Sequence, residues 1–314
     1  MSSALATRPR LAFAGLGWIG RHRLDAIVAS GAADATYLCD VDTDLSFDDL
    51  LRTDADAVVI ATPSAMHAEQ AISALERGKA VFCQKPLGRN ADETRRVVEA
   101  ARANDRLLGV DLSYRHTDAM QAVKRLVQEQ TIGDVYAVDL VFHNAYGPDK
   151  PWFYDRKQSG GGCVIDLGIH LADLALWTLG FPRPTRTTSR LFHHGGHEVE
   201  DYAVAMMDLS NGAVMQLACS WNLSAGRDCE IRALFHGTRG TAAFRNVNGS
   251  FYDFVAEHYV QTQSTQLTQP GEPWGGRAAI DWANRLATSN AFDPEIEHVI
   301  EVAEALDAIY RGAR

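Results

Sequence analysis

The first third of the chain alternates short, wholly apolar runs with segments of helical periodicity. The apolar runs cover residues 11–14, 57–61 and 81–83, and helical patterns stand between or after them, for example over residues 19–29 and 91–104. Strands that carry no polar residue are buried on both faces, which is typical of a parallel sheet covered by crossover helices. The pattern therefore predicts an α/β fold with a doubly wound parallel sheet.

The remainder of the chain has a different sequence pattern. Two strand-like runs, DYAVAMMDL and AVMQLACSW, flank the pair Asn211-Gly212, which is a strong signal for a β-hairpin. Residues 229–246 resemble a second hairpin, and helical segments accompany both, so we expect an α+β domain with an antiparallel sheet. Because 314 residues are too many for one ordinary core, we expect two domains, residues 1–112 and 113–314.

Composition and charge limit the kind of protein. A hydrophobic content of 46% with 22% charged residues is typical of a globular chain. The formal net charge of −10 argues against nucleic acid or an anionic membrane as the main partner. No stretch reaches the ~20 continuous apolar residues of a membrane span. The five cysteines have no paired spacing, which favours reduced thiols and a cytoplasmic protein.

A glycine motif follows the first apolar run. GLGWIG places Gly15, Gly17 and Gly20 at the turn from strand to helix. There they allow a tight turn, close approach of a pyrophosphate and close packing of the helix on the strand. The helix N-terminus, with Trp18 and Ile19, then faces the phosphates. We therefore predict that these five residues bind a dinucleotide.

An aspartate stands at the expected distance from this motif. Asp40 ends the second strand-like run, 20 residues after Gly20, which is the spacing of a carboxylate that bonds the ribose hydroxyls. A carboxylate repels a 2′-phosphate, so Asp40 favours NAD as the cofactor, although Arg21 and Arg23 leave NADP possible. Only a few residues separate Asp40 from the helix-like SFDDLLRT, so we expect a shortened crossover after the second strand.

Two further turns are predicted at the same edge of the sheet. Thr62 and Pro63, in ATPSAMH, end the third strand and turn the chain over the cofactor. His67, in the same motif, fits a structural or cofactor-adjacent role better than a catalytic one. In AVFCQKP, Gln84 and Lys85 follow the next strand and are also expected to line the cofactor site.

Lys85 is the most chemically suggestive residue of this half. Pro86 disfavours a helical conformation for the residue before it, which biases Lys85 toward an extended conformation at the mouth of a cleft. A partly desolvated lysine in that place can exchange a proton with a substrate hydroxyl. A solvated loop lysine is the alternative, and this motif by itself favours it.

The second half carries a paired acid and imidazole. In SGGGCVIDLGIH, a triple glycine precedes a helix on which Asp166 and His170 are four residues apart and so share one face. An aspartate one turn from a histidine can orient the imidazole and stabilise its protonated form, while an ordinary pair on a helix surface is an equal alternative. Gly168 costs a helix interior about 1 kcal/mol relative to alanine, which predicts a close approach to its backbone.

Together these motifs resemble the Gfo/Idh/MocA oxidoreductases, the family of glucose–fructose oxidoreductase and inositol dehydrogenase. GLGWIG, Asp40, ATPSAMH, QKP and GGGCVIDLGIH stand in the order and spacing of that family, and the resemblance covers nearly the whole chain. It implies an N-terminal Rossmann domain and a C-terminal domain with an open, mostly antiparallel sheet that often forms the interface of a homodimer or homotetramer. One departure is Gln84, because the family usually has Glu-Lys-Pro and the lost charge affects the surroundings of Lys85.

The resemblance also implies a reaction. Lys85, Asp166 and His170 match the catalytic trio of the family, in which a hydride passes between the nicotinamide of NAD(P) and a hydroxyl or keto carbon of a sugar, inositol or related polyol. Lys85 or His170 moves the proton, and which of them is the base stays open. We expect the substrate between the domains, with aromatic and polar side chains around it, and packing or surface charge is an equal alternative for each taken singly. The expected substrate-binding residues are Lys85, Tyr114, Arg115, Trp152, Tyr154, Asp166 and His170.

Two alternative functions compete with this one, and one further motif could suggest a metal. Some relatives with the same fold are glycosidases that use tightly held NAD for transient oxidation. A dinucleotide-sensing regulator without turnover would also share the fold, although the retained lysine and the Asp-x-Gly-x-His motif argue against it. The run HHGGHE, residues 193–198, could suggest a metal site, but it has no completing cluster in the sequence, and we expect no metal.

Overall fold

The computed structural model describes residues 8–313, and its internal contacts divide it into two compact units. The first comprises the residues up to Ser113 together with Gly276–Glu297, and the second comprises Tyr114–Gly275 together with the residues from His298 onward. The sequence pattern assigned everything after residue 112 to the second domain. Instead, the chain returns late to its first unit, which no single boundary along the sequence can describe.

The first unit contains a five-stranded sheet among the described residues. Its strands are β1 (Arg10–Ala14), β2 (Asp34–Cys39), β3 (Ala57–Ile60), β4 (Ala80–Cys83) and β5 (Leu108–Val110). The order across the sheet is β2-β1-β3-β4-β5, and every neighbouring pair is parallel. All residues of β3 and β4 are buried, as their apolar sequences predict. The predicted α/β class with a Rossmann-like parallel sheet is therefore confirmed.

Helices connect these strands and end where the sequence signals a stop or a cap. They are α1 (Trp18–Ser30), α2 (Phe47–Arg52), α3 (Ser64–Glu76) and α4 (Ala91–Ala103). The side chain of Asn90 accepts the N–H of Glu93 at the start of α4, and Gly31 ends α1 with a φ of +70°. The crossover from β2 to β3 holds only the six-residue α2, as the short spacing after the second strand predicted.

One helix of the first unit comes from the far end of the chain. Helix α8 (Arg277–Thr288) belongs to this unit, and its Trp282 is 3% exposed. The ring of Trp282 packs on Phe82 of β4, with ring centroids 5.4 Å apart. A Cβ added to Gly109 of β5 would lie 2.5 Å from Trp282, so the indole occupies the space that this glycine leaves open.

The second unit contains an eight-stranded sheet in the order β13-β12-β11-β10-β6-β9-β8-β7, within the same described range. All its pairs are antiparallel except β6 with β9, which is parallel. Both predicted hairpins are present as the pairs β8–β9 and β10–β11. The strands are β6 (Val135–Asn144), β7 (Pro184–Phe192), β8 (Tyr202–Leu209), β9 (Val214–Ser220), β10 (Cys229–Gly237), β11 (Gly240–Asn246), β12 (Phe254–Val260) and β13 (Gln263–Gln266).

Helices pack against this sheet to form the core of the second unit. They are α5 (Asp118–Gln128), α6 (Arg156–Ser159), α7 (Ile169–Leu179) and α9 (His298–Arg311), with a π-helical turn at Val164–Gly168 and a 3₁₀ turn at Pro151–Tyr154. Two further 3₁₀ turns are Ser113–His116, where the chain passes from the first unit to the second, and Pro294–Glu297, which belongs to the first unit. The run Arg156–Leu179 is long and apolar enough to cross a membrane, but 78% of its most apolar window is buried inside the protein. It is therefore better explained as a core helix.

Replacing Trp282 with alanine is expected to lower the free energy of unfolding by about 3–5 kcal/mol, because a large buried aromatic leaves a cavity that its neighbours fill only in part. The matched control is Trp18→Ala, since Trp18 is 69% exposed and should change stability by about 0.5 kcal/mol or less. Urea unfolding of the cofactor-free protein, followed by circular dichroism, measures both. Equal losses for the two variants would show that α8 does not hold the first unit together.

Candidate active site

The turn after β1 has the backbone that a dinucleotide requires. Gly15 has a φ of +89°, and a Cβ on it would lie 2.5 Å from the carbonyl oxygen of Ala61. A Cβ on Gly20 would lie 2.0 Å from the carbonyl oxygen of Gly15, so α1 packs directly on the turn. Gly17 has open space around it and precedes α1 without a side-chain cap. The first N–H groups of α1 therefore lack a capping side chain and are suited to bind phosphate.

Asp40 holds this turn from the end of β2. One carboxylate oxygen accepts the N–H of Leu16 and the other accepts the N–H of Val41, the latter at 2.6 Å. A carboxylate has about four acceptor sites, so two N–H groups leave capacity for the hydroxyls of a ribose. The turn and the half-buried Asp40 thus fit an NAD molecule, with Gly15, Gly17 and Gly20 for the pyrophosphate.

His67 connects two turns of the same sheet edge. It is 2% exposed, and its two ring nitrogens lie 2.7 Å from the carbonyl oxygens of Thr62 and Pro86. Burial lowers the pKa of His67, and the hydrogen bonds to the two carbonyl oxygens oppose that shift. Both ring nitrogens are occupied by backbone, so His67 positions the turns after β3 and β4.

Lys85 is the accessible residue of a buried segment. Among residues 80–88, every position is buried except Lys85, which is half-buried. The preceding Gln84 continues the sheet by donating its N–H to the carbonyl of Ile60, and its side chain donates to the carboxylate of Asp111. The peptide bond between Lys85 and Pro86 is cis. Lys85 thus lies at the partly exposed position of a segment that is otherwise buried.

A buried ion pair lies behind this turn. Asp111, at the end of β5, accepts from the Arg23 guanidinium at 2.5 Å and from the hydroxyl of Ser113. From the sequence, Arg23 was expected only as a charge near the cofactor, and Asp111 was not expected in the site. The signal was present, because LLGVD places an acid directly after an apolar strand, as Asp40 follows β2.

In the second unit, a buried glutamate anchors the segment before Asp166. Glu200 is fully buried, and its Oε1 accepts the N–H groups of Gly162 and Val164 at 2.9 and 3.0 Å and the hydroxyl of Tyr310 at 2.8 Å. A Cβ on Gly162 would lie 1.9 Å from the carbonyl oxygen of Glu200, and one on Gly161 would lie 2.0 Å from the Tyr310 hydroxyl. Gly161 and Gly162 are therefore required by these contacts, and no local pattern in the sequence points to Glu200.

Asp166 and His170 occupy the accessible side of this segment. Asp166 lies in the π-helical turn and His170 in the first turn of α7, so the regular α-helix that we expected is widened between them. Nevertheless, they are the two residues of 161–170 that are not buried, as residues on one accessible face would be. Gly168 does not have the close approach that we predicted, because the atoms nearest to an added Cβ are 3.6 Å away, an ordinary contact.

The neighbours of these two residues are aromatic. The indole N–H of Trp221 donates to Asp166 Oδ2 at 3.1 Å. The ring of Tyr114 meets that of His170 edge to face, with centroids 4.8 Å apart, and Phe142 lies 6.1 Å from the same imidazole. Tyr114 is itself buried, and burial raises the pKa of its hydroxyl. Sequence reasoning identified Tyr114 but missed Trp221, which lies 55 residues from Asp166.

Three other expected substrate contacts have partners inside the second unit. Arg115 makes a bidentate ion pair with the buried Asp173, whose pKa burial raises although Arg115 opposes that shift. Trp152 stacks on Phe153 with centroids 3.8 Å apart. The hydroxyl of Tyr154 donates to the carbonyl of Pro148 at 3.0 Å. Because its guanidinium is engaged, Arg115 is better explained as a structural residue than as a ligand of substrate.

Comparison with protein-family models identifies both halves of the chain. Residues 9–112 match the model described as an oxidoreductase family with an NAD-binding Rossmann fold, and residues 120–243 match the GFO/IDH/MocA C-terminal domain. The first match spans the glycine turn, Asp40 and Lys85. The second spans Asp166 and His170.

Curated relatives are enzymes that act on sugars and polyols. The chain is 31% identical over 197 residues to 1,5-anhydro-D-fructose reductase of Ensifer adhaerens, a match that covers 62% of this chain and 58% of that protein. It is 28% identical to levoglucosan dehydrogenase of Pseudarthrobacter phenanthrenivorans, with 83% of this chain and 78% of the relative covered. It is 26% identical to inositol 2-dehydrogenase 3 of Saccharopolyspora erythraea, with 93% and 84% covered.

Solved structures share the fold over nearly the whole chain. GenD2 from gentamicin A biosynthesis, solved with NAD, has a TM-score of 0.81 at 24% identity and covers 99% of this chain, which covers 96% of GenD2. KijD10, a 3-ketoreductase from Actinomadura kijaniata solved with NADP, has a TM-score of 0.85 at 21% identity, with 98% of both chains covered. With both domain models matched in order, the chain belongs to the Gfo/Idh/MocA family of oxidoreductases.

Proposed function

We propose that this chain is an NAD(P)-dependent dehydrogenase or reductase that transfers a hydride between nicotinamide and a hydroxyl or keto carbon of a sugar, inositol or related polyol. One observation carries the proposal. The strands of the first unit are all parallel, so the residues that follow them meet at one edge of the sheet. The glycine turn, Asp40, Thr62 and the half-buried Lys85 are those residues.

The residues supply proton chemistry, while NAD(P), when bound, accepts or donates the hydride. A hydroxyl that loses hydride from its carbon must also lose its proton. Lys85 and His170 are the two groups proposed to take or relay that proton, and Asp166 is proposed to orient the imidazole. The family differs internally in which residue is the base, so the roles of Lys85 and His170 are to be separated by experiment.

The names of the relatives indicate which classes of substrate to test. They include a 1,5-anhydrosugar reductase, an anhydrosugar dehydrogenase and an inositol dehydrogenase, so a ring that carries several hydroxyls is common to them. We propose that Tyr114, Trp152 and Tyr154 provide aromatic surface for such a ring. Hexoses, glycosides, anhydrosugars, inositols and their keto forms make up the panel to be tested. Cleavage of a glycoside without net NADH would favour the glycosidase alternative.

We also propose a cytoplasmic protein that forms a homodimer or homotetramer. The five cysteines are all free thiols, and four of them are buried, which suits a reducing compartment. Large apolar side chains such as Tyr136 and Met206 are 58% and 51% exposed on strands β6 and β8, which is consistent with an interface on the large sheet. Light scattering of the purified protein tests the oligomeric state.

Replacing Lys85 with methionine is expected to reduce kcat by about 10²- to 10⁴-fold, because the change removes a proton-transfer group and keeps a side chain of similar length. The affinity for NAD should stay within about threefold. Absorbance at 340 nm follows turnover, and calorimetry follows cofactor binding. Lys150→Met is the matched control, since the Lys150 side chain is 64% exposed. Unchanged turnover in Lys85→Met would end the proposal for this residue.

The pH dependence of kcat/KM for oxidation is expected to identify the general base. A general base must be deprotonated, so kcat/KM falls as pH drops below its pKa, and removal of that base abolishes this limb. We therefore expect one of the two variants, Lys85→Met or His170→Asn, to keep the fall of kcat/KM at low pH together with slow turnover. The other variant, which lacks the base, should lose that fall. Asp166→Asn should lower kcat and keep the limb. If all three variants keep the wild-type profile, none of these residues is the base.

Asp40→Asn is expected to weaken the preference for NAD over NADP by roughly tenfold, about 1.4 kcal/mol, because the amide no longer repels a 2′-phosphate and is a poorer acceptor for ribose hydroxyls. The ratio of kcat/KM for the two cofactors measures this. Asp42→Asn, an exposed position in the same loop, is the control and should leave the ratio unchanged. A ratio that is the same in both variants would contradict the role of Asp40.

A further inference from the structure

A cluster of three buried polar side chains supports the turn that carries Lys85. Arg23 of α1, Gln84 after β4 and Asp111 after β5 are 5%, 9% and 2% exposed. One oxygen of Asp111 accepts from both Arg23 Nε and Gln84 Nε2, and the other accepts from Ser113. The Arg23 guanidinium also donates to Ser113 at 3.0 Å. Asp111 is therefore the common acceptor of the cluster.

The chemistry of Asp111 decides what can stand at position 84. An ionised carboxylate is only an acceptor, so residue 84 must present a donor, and the amide of Gln84 does so. A glutamate in its place would bring two carboxylates into contact in a buried site, where they could not both be ionised without a large cost. Glutamine at position 84 and aspartate at position 111 are thus a matched pair.

The pair also connects two strand ends. The backbone N–H of Asp111 donates to the carbonyl of Cys83 at 2.9 Å, and the side-chain bond to Gln84 extends the contact one residue beyond β4. Lys85 follows directly. The charged and titratable groups that face the cluster are Arg23, Asp111, Cys83, whose pKa burial and Asp111 raise, and His22, whose ring nitrogen lies 2.9 Å from Arg23. His67 is the titratable group whose pKa burial and the charge of Lys85 lower. The formal charges of Arg23 and Asp111 cancel.

We propose that Asp111 is a positioning residue for Lys85, and that in this chain it supplies the buried carboxylate which the Glu-Lys-Pro sequence usual in the family carries at position 84. The inference rests on the proposed function of Lys85. The carboxylate follows β5 and not β4, and Arg23 balances its negative charge there. The turn therefore keeps a carboxylate bonded to the residue before the lysine, although residue 84 is neutral.

A charge-exchange cycle tests this directly. The variants are Gln84→Glu, Asp111→Asn and the double variant, which carries the acid and the amide in exchanged places. Each single variant should unfold at a lower urea concentration than the wild type, because one buries a second acid and the other leaves Arg23 without a counter-charge. The double variant should recover most of the loss, which is a coupling between the two sites. Asp25→Asn, at an exposed position of α1, is the control.

The lysine itself provides a readout that does not depend on turnover. The chain has five lysines, so NMR of the ¹³C-dimethylated protein, assigned with Lys85→Met, can follow the titration of Lys85 alone. Asp111→Asn should move the midpoint of this titration down, because it leaves the charge of Arg23 uncompensated in the cluster bonded to Gln84, the residue before Lys85. The double variant should restore the midpoint, and kcat should follow with losses of tenfold or more in the single variants and recovery to within about threefold.

Additive losses of stability, or a Lys85 titration that is the same in all variants, would overturn the inference. A purely structural cluster would show coupling in stability but leave the titration unchanged. If the wild type had no turnover on the sugar panel while the titration and stability cycles behaved as expected, the proposed function would fail and the role of Asp111 would stand.

Discussion

The close approach of backbone to backbone at the turn after β1 is the constraint on which the cofactor half depends. Gly15 lies against the carbonyl of Ala61, and Gly20 lies against the carbonyl of Gly15. A methyl group at either glycine would push α1 off the sheet, and the N-terminus of the helix would then no longer face the edge where the strands end. The parallel order of the strands brings Asp40 and Lys85 to that same edge.

Buried carboxylates fix the geometry of both units. Asp111 is paired with Arg23, Asp173 is paired with Arg115, and Glu200 is bonded by backbone N–H groups and a tyrosine hydroxyl. Such groups are weak sources of stability, because desolvation offsets much of the attraction, but removal of one partner is costly. They therefore favour one arrangement of the surrounding chain. In each unit, a carboxylate of this kind lies next to the segment that carries a proposed catalytic residue.

Much of the fold could be predicted because its signals are local. Apolar runs separated by helical segments predicted the parallel sheet, and Asn211-Gly212 predicted the β8–β9 hairpin. The accessible side of the helix segment was also predictable, since Asp166 and His170 are four residues apart. In contrast, α8 could not be assigned to the first unit, because its amphipathic pattern does not specify which sheet it will cover. The prediction of a close contact at Gly168 was wrong. The free-energy cost of a glycine in a helix is a local property, and it does not indicate where other parts of the chain approach, which is at Gly161 and Gly162.

The sequence by itself determined the class of fold and the turn suited to a dinucleotide, because both follow from short-range patterns of size, charge and backbone freedom. The proposed catalytic residues came from the resemblance of its motifs to the family. Only the tertiary structure decided how those residues are supported. The contacts of Asp111 with Gln84, of Glu200 with Gly162 and of Trp221 with Asp166 join residues that are remote along the chain. A buried polar group must find its partner wherever the packed chain places one, and no local pattern records that choice.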